Sequence, residues 1–229
     1  MSLTSGRGPL SNDPAGRFSA PVPAALAYVE PFQRRVRALL AGVTVIDSER
    51  VVLVHRPGAP PSYAFPTEDV KIPSNEEPLA DRYVRVAWDA VDEWYEEEQR
   101  VFLHPRNPYH RVDCFPTHRR LRVELGDTVL VDSTDTIGVF ETALAPRLYV
   151  EPAQLLVDLE PSPTTSYCPS KGPASYWTVT VGTTRVEDAA WSYDDPYPEC
   201  LIIGGLLSFD ENRVTVMAEF PPGDLLHRF

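Results

Sequence analysis

Arg34 to Ser48 reads R-R-V-R-A-L-L-A-G-V-T-V-I-D-S, and Arg119 to Ser133 reads R-R-L-R-V-E-L-G-D-T-V-L-V-D-S. Each stretch sets Arg-Arg-apolar-Arg before an apolar segment, a tight turn near Gly42 or Gly126, a second apolar segment and Asp-Ser. Two apolar runs joined by a short glycine-bearing turn are the pattern of a β-hairpin. Arg119 follows Arg34, and Ser133 follows Ser48, at the same spacing of 85 positions. Turn chemistry accounts for a shared glycine but not for paired arginines and an Asp-Ser at matching separations. The chain therefore reads as an internal duplication with a period of about 85 residues.

Each copy runs on into a further β-rich stretch, Val51 to His55 and Thr136 to Glu141. A proline-bearing loop with aromatic residues follows. Ser62-Tyr63-Ala64-Phe65-Pro66 stands against Leu148-Tyr149-Val150-Glu151-Pro152, with one inserted residue between the registers. The expected fold is mainly β, with two tandem antiparallel units at 24–117 and 118–220. Residues 1–23 mix Ser, Gly, Pro and Asn and read as a flexible leader, and 221–229 as a tail. Between the copies, Trp88, Val91, Trp94 and Tyr95 fall at helical spacing beside Glu96-Glu97-Glu98, which predicts one short helix over 87–99.

The composition narrows the function. A net charge of -12 argues against a nucleic-acid partner, because binding phosphates requires clustered Lys and Arg. The local basic runs, Arg34 to Arg37 and His118 to Arg122, alternate as strands do and suit solvent faces or carboxylate partners. No apolar run approaches the roughly 20 residues of a membrane helix. Three cysteines without a C-x-x-C fit neither a disulfide framework nor a zinc knuckle, so a reducing, cytoplasmic setting is expected. The 24 prolines, excluded from helix interiors and central strands, point to short strands joined by structured loops.

Two dense polar stretches stand out. The second copy carries Thr164 to Trp177, with Cys168-Pro169-Ser170-Lys171-Gly172, and then Ala190-Trp191-Ser192-Tyr193-Asp194-Asp195-Pro196. The first copy carries His104-Pro105-Arg106-Asn107-Pro108-Tyr109-His110-Arg111-Val112-Asp113. If both stretches face one cleft, they furnish a small-molecule pocket.

The pattern T-x-x-x-C-P-x-K-G-x-A-x-Y-W, followed by A-W-x-Y-x-x-P and G-L-L-S-F-x-x-x-R-V, resembles the family of domain of unknown function 427. The resemblance is specific from about Arg119 to Val216, and the H-P-R-x-P-x-x-R-V-D segment is similar to that of two-copy members. It implies a fold like the β-tent, two small antiparallel sheets meeting at an angle. Zinc-binding β-tent relatives use paired C-x-x-C knuckles, which this chain lacks. Some catalogues attach a nucleotidyltransferase label to the family. Phosphoryl transfer normally shows a glycine-rich loop before a helix or paired carboxylates for Mg²⁺. Here Gly204-Gly205 leads into a strand-like run and Asp194-Asp195 stands alone, so the residues give that label no support.

The chemistry of the two polar stretches leaves several roles open. Cys168 with Lys171 nearby has the makings of an activated thiol, with His104 or His110 as base. His55, His104, His110 and Asp113 are metal-capable residue types, but no metal-binding motif joins them. The leading expectation is an enzyme working without metal or cofactor on a carbonyl-bearing small molecule, by acid–base chemistry such as cyclisation, lactonisation or hydrolysis. Arg106 and Arg111 would hold the oxyanion, His104 or His110 would move the proton, and Asp113 and Lys171 would complete the catalytic set. Cys168, Tyr176, Trp191, Tyr193, Tyr63 and Glu141 would contact the substrate. The bland counterpart is that the arginines serve salt bridges to Glu96–Glu98 or Asp113. The alternative function is a module that binds a small molecule or a protein without reacting.

Overall fold

The computed structural model describes residues 3–4, 6–23 and 26–221. The chain divides into two units, Met1–His110 and Arg111–Phe229. In the first, β1 (Tyr28–Phe32), β2 (Val36–Leu40), β3 (Val43–Ser48), β4 (Val51–His55), β5 (Ser62–Pro66), β6 (Asn75–Glu76), β7 (Tyr83–Arg85), β8 (Glu93–Glu96) and β9 (Gln99–Val101) form two antiparallel sheets. Their orders are β1-β4-β5-β7-β6 and β3-β2-β8-β9. The second unit contains β10 (Val112–Thr117), β11 (Leu121–Leu125), β12 (Thr128–Ser133), β13 (Thr136–Glu141), β14 (Arg147–Tyr149), β15 (Leu159–Cys168), β16 (Gly172–Val181), β17 (Thr184–Ser192), β18 (Leu207–Phe209) and β19 (Thr215–Ala218). Its sheets are β10-β13-β14, β12-β11-β19 and β15-β16-β17-β18. The sequence placed 111–117 in the first unit, but β10 pairs along its whole length with β13 of the second.

The Arg-Arg and Asp-Ser stretches fold as hairpins, and their shared charges have a shared purpose. Arg35 donates from Nε and Nη2 to the two oxygens of Asp47, each at 2.7 Å, and Arg120 does the same to Asp132 at the same distances. Hydrogen bonds from Arg120 and Arg122 lower the Asp132 carboxyl to about 2. On the opposite face of these hairpins Val36, Ala38, Leu121 and Val123 are buried.

The period of 85 persists through the strand ladders. Val52 faces Ala64 and Ile137 faces Tyr149; the isolated bridges Ile46–Val70 and Val131–Leu155 keep the same offset. No residue is inserted between the registers, which corrects the expectation from sequence. Tyr149 corresponds to Ala64, and Tyr63 to Leu148. Successive residues of a strand point to opposite faces, so matching one tyrosine to the other would turn the strand over.

The helix expected over 87–99 does not form. Trp88–Ala90 is a single 3-10 turn, and β8 runs antiparallel to β2 with Trp94 opposite Ala38. Along β8 the burial alternates with period two, Trp94 and Glu96 inward and Glu93 and Tyr95 half-exposed. The Trp94 indole donates to the Trp88 carbonyl at 2.9 Å and the two rings stack at 5.1 Å, so the spacing that mimics a helix closes an aromatic contact across the turn. Aromatic side chains lose rotamer freedom in a helix and pack well on a pleated surface.

Each repeat encloses a core between its sheets. In the first unit Phe32, Leu53, Tyr63 and Phe65 from one sheet meet Val36, Ala38, Ile46 and Trp94 from the other. In the second, Leu121, Val123, Leu130, Val131 and Leu148 pack with Val179, Ala190 and Phe209. The units differ by an insertion. Phe65 pairs with Val84, 19 positions on, whereas its counterpart Val150 bridges to Leu207, 57 positions on. The extra 38 residues carry β15, β16 and β17, and with them the Cys-Pro-Ser-Lys-Gly and Ala-Trp-Ser-Tyr motifs. They add a further core of Val139, Tyr149, Ala174, Tyr193, Cys200, Ile203 and Leu206.

Within the expected leader, Thr4 is buried and its hydroxyl donates to the Ala59 carbonyl at 2.8 Å. The expected tail lies outside the described residues except for Pro221. No helix among the described residues is long and apolar enough to cross a membrane.

Leu53 is fully buried in the first core, so Leu53→Ala is expected to cost about 2–5 kcal/mol through lost burial and the cavity left behind. Met217→Ala, at an exposed position, should stay within about 0.5 kcal/mol. Urea midpoints check the sizes.

Candidate functional site

Lys171 stands in the turn that joins β15 to β16. Cys168 pairs with Gly172 across that turn, and the Lys171 amide donates to the Cys168 carbonyl at 3.3 Å. Gly172 has φ +101°, a conformation L side chains rarely adopt, and a Cβ there would lie 3.3 Å from the Asp195 carbonyl oxygen. The Tyr197 amide donates to the Lys171 carbonyl at 3.0 Å and ties the turn to the following segment. A fixed turn therefore aims the lysine inward.

The Lys171 side chain is buried, and its Nζ donates to Glu141 Oε2 at the end of β13. Nζ also lies 5.7 Å from the centroid of the Tyr193 ring. Burial pulls the ammonium pKa down, but Cys168 and Glu141 outweigh it and hold Lys171 above its ordinary 10.5. Lys171 is thus a charged hydrogen-bond donor at neutral pH, not a nucleophilic amine.

β16 and β17 supply the aromatic wall. Tyr176 and Trp191 face each other in the ladder, and the Trp191 indole donates to the Tyr149 hydroxyl at 2.9 Å with the rings edge-on at 6.4 Å. Burial raises Tyr149 to about 12 and pushes Tyr193 up strongly. The Tyr176 hydroxyl shares a hydrogen bond with Ser166 at 2.9 Å. Arg147 lies over the Trp191 ring at 5.5 Å while paired to Glu211 at 3.0 Å. These groups enclose a cavity of about 370 Å³, lined by Glu141, Arg147, Tyr149, Lys171, Tyr176, Trp191, Tyr193 and Asp210 with apolar Val139, Leu144 and Ala145.

Five residues singled out on the sequence therefore share one cavity: Glu141, Lys171, Tyr176, Trp191 and Tyr193. Cys168 packs in the adjoining apolar cluster with Cys114 and Cys200 and does not line the cavity. The hydrogen bond with Cys200 holds the Cys114 thiol below its ordinary value, while that bond and burial push Cys200 up. Arg111 and Asp113 pair with each other at 2.6 Å, with the arginine largely exposed, as the salt-bridge alternative anticipated.

The other candidates belong to the first unit. His104 and Tyr63 line a cavity of about 270 Å³ there. His104 Nδ1 donates to the Pro105 carbonyl at 2.8 Å, and burial lowers the imidazole pKa. The Tyr63 hydroxyl donates to Glu96 at 2.6 Å, and the Arg106 amide donates to the same carboxylate at 3.2 Å. The His110 amide donates to the Asn107 carbonyl at 3.1 Å. No group of three or more His, Cys, Asp and Glu among the described residues is placed to hold a metal ion.

Sequence reasoning missed Arg147, Tyr149 and Asp210. For Tyr149 the available signal was the unbroken offset of 85, which puts it opposite Ile137 and beside the insertion. Arg147 and Asp210 sit in no motif, and only the ladder brings them to the cavity.

Lys171→Met would remove the buried ammonium that pairs with Glu141, at an expected cost of up to about 5 kcal/mol. In urea titrations the double variant Lys171→Met/Glu141→Gln should lose less than the sum of the two single variants, since the two groups are in contact. Because the folded pKa of Lys171 is raised, its charge stabilises fully below its ordinary 10.5 and loses effect only as pH climbs through the higher folded value. The difference between wild type and Lys171→Met should therefore stay flat from about pH 6 to 9.

Residues 28–85 and 113–219 match the family described as Domain of unknown function (DUF427). No curated protein compared with the chain matches it. The two matched segments fall one in each repeat and together take in more than half of the chain, and the protein belongs to the DUF427 family as a two-copy member.

Proposed function

We propose that the second unit is a small-molecule enzyme without cofactor, acting by acid–base chemistry on a carbonyl-bearing organic substrate. The observation that carries this reading is the buried Lys171–Glu141 pair set into the wall of an aromatic cavity. Cyclisation, lactonisation and hydrolysis all develop negative charge on a carbonyl oxygen, and a buried ammonium is placed to meet it. A carboxylate bound to an ammonium is a weak base. When a substrate oxygen takes the ammonium's hydrogen bond, Glu141 loses that bond and becomes a stronger base towards a proton of the substrate. Trp191 and Tyr176 then hold the planar part of the substrate, and Arg147 supports the Trp191 ring. The roles first assigned to Arg106, Arg111 and the histidines pass in this reading to Lys171 and Glu141. The three free thiols fit a reducing, cytoplasmic setting.

A second reading has its own support. Lys171, Tyr149 and Tyr193 are all shifted away from neutral pH, whereas an efficient proton-transfer group has a pKa near the working pH. The same cavity would then bind its small molecule without reacting.

One experiment separates the two. Purified protein, Glu141→Gln and Lys171→Met/Glu141→Gln are incubated with a small-molecule extract, and both the bound and free fractions are analysed by mass spectrometry. The enzyme reading expects a compound consumed by wild type and retained but not consumed by Glu141→Gln. A compound retained unchanged by wild type supports the binding module. Neither retention nor consumption would remove the cavity as a functional site.

A further inference from the structure

The cavity of the first unit and that of the second are built at the same positions of the repeat. Val54 and Val139, Arg56 and Glu141, Ala59 and Leu144, Pro60 and Ala145, and Ser62 and Arg147 line the two cavities, each pair 85 positions apart. The ladders keep that offset through these strands, so the correspondence is structural.

The charge at the shared position is reversed. In the second unit the sheet contributes the carboxylate, Glu141, and the partner is the buried cation Lys171. In the first unit the residue that follows β4 is the cation, Arg56, which donates from Nη2 to both oxygens of Glu77 at 2.8 and 2.9 Å. Arg85 Nε reaches the same carboxylate at 2.7 Å. The Glu77 side chain is fully buried and does not line the cavity, whereas both arginines line it and are about one third exposed. Two guanidinium groups thus share one hidden carboxylate and bring a surplus positive charge to the cavity, in a chain whose net charge is -12.

The remaining wall is apolar and aromatic. Trp88 and Trp94 are stacked at 5.1 Å, and the Tyr63 ring lies beside them with its hydroxyl engaged by Glu96. Since the Pro105 carbonyl can only accept, His104 Nδ1 carries its proton and Nε2 is the acceptor nitrogen of the neutral ring. The volume of about 270 Å³ lies just below the roughly 300–1,000 Å³ of pockets for drug-sized ligands, so the occupant is small.

We infer that the first unit holds a second binding site, equivalent by duplication and inverted in charge, whose ligand is a small aromatic carboxylate. Arg56 and Arg85 take the carboxylate, for which the guanidinium fork is suited. Trp88, Trp94 and Tyr63 take the ring. The site stands independently of any reaction in the second unit.

The test uses the full chain, with phenylacetate as probe and phenylacetamide as its neutral match, followed by saturation-transfer NMR and calorimetric titration. Phenylacetate should bind, and the amide should bind at least about tenfold more weakly. Arg56→Gln should lose the carboxylate preference. Ser62→Glu leaves the arginine–Glu77 cluster intact and sets a like charge in the cavity; it should abolish phenylacetate binding in a folded protein. The double variant Lys171→Met/Glu141→Gln should bind phenylacetate as wild type does. Absence of phenylacetate binding, equal binding of the amide, retention by Ser62→Glu, or a loss that follows the second-unit variant would each overturn the proposal.

Discussion

A strand that slips by one residue turns every side chain to the other face of its sheet, and both units depend on preventing that slip. In β2 a slip would bring out Val36 and Ala38, which are fully buried, and take Arg37 inside. Burying one such valine contributes about 1.5–3 kcal/mol, and an unpaired arginine inside would cost several more. The exposed bridges from Arg35 to Asp47 and from Arg120 to Asp132 add little energy by comparison. Their value is that they satisfy both charges in one register only. This is why the same charges recur at the same spacing in each copy.

A fixed register also fixes what each sheet offers on its second face. The position of Ala64 in the first unit is that of Tyr149 in the second. The tyrosine needs cover and a hydrogen-bond partner when buried, and the 38-residue insertion brings Trp191 to donate to it. The insertion also brings Lys171 to Glu141. A motif-rich segment and a plain sheet edge are therefore two halves of one cavity wall, and neither is complete alone.

These relations mark what the sequence could disclose. The duplication was legible because charged residues at a turn repeat with type and spacing intact. The cavity residues Lys171, Tyr176, Trp191 and Tyr193 were legible because they crowd into two short motifs. The pairing of Lys171 with Glu141 was not, since 30 positions separate them and no local pattern links a turn lysine to a strand end. Trp88, Val91, Trp94 and Tyr95 satisfied a helical spacing, while Glu93 to Glu96 satisfied alternation over only four residues, too short a run to win by count. Tyr63 was set against Tyr149 because like residues attract an alignment, whereas the ladder answers only to backbone geometry. The correspondence of Arg56 with Glu141 was hidden for the opposite reason, as the two differ in charge.

That difference has a history written into it. Replacing one member of a buried ion pair strands the other, at a cost of about 3–5 kcal/mol, so a buried pair does not invert one residue at a time without penalty. In this chain the counter-charges come from segments that do not correspond. Glu77 lies in the short connection between β5 and β7, and Lys171 in the long insertion between β14 and β18. The shared position was thus free to become arginine in one copy and glutamate in the other, each with a partner supplied by its own connection. The sheet fixes where a cavity opens, and the connecting segment decides which charge lines it. An inserted segment that brings its own cation and aromatic wall changes the chemistry of a cavity without disturbing the register that made it.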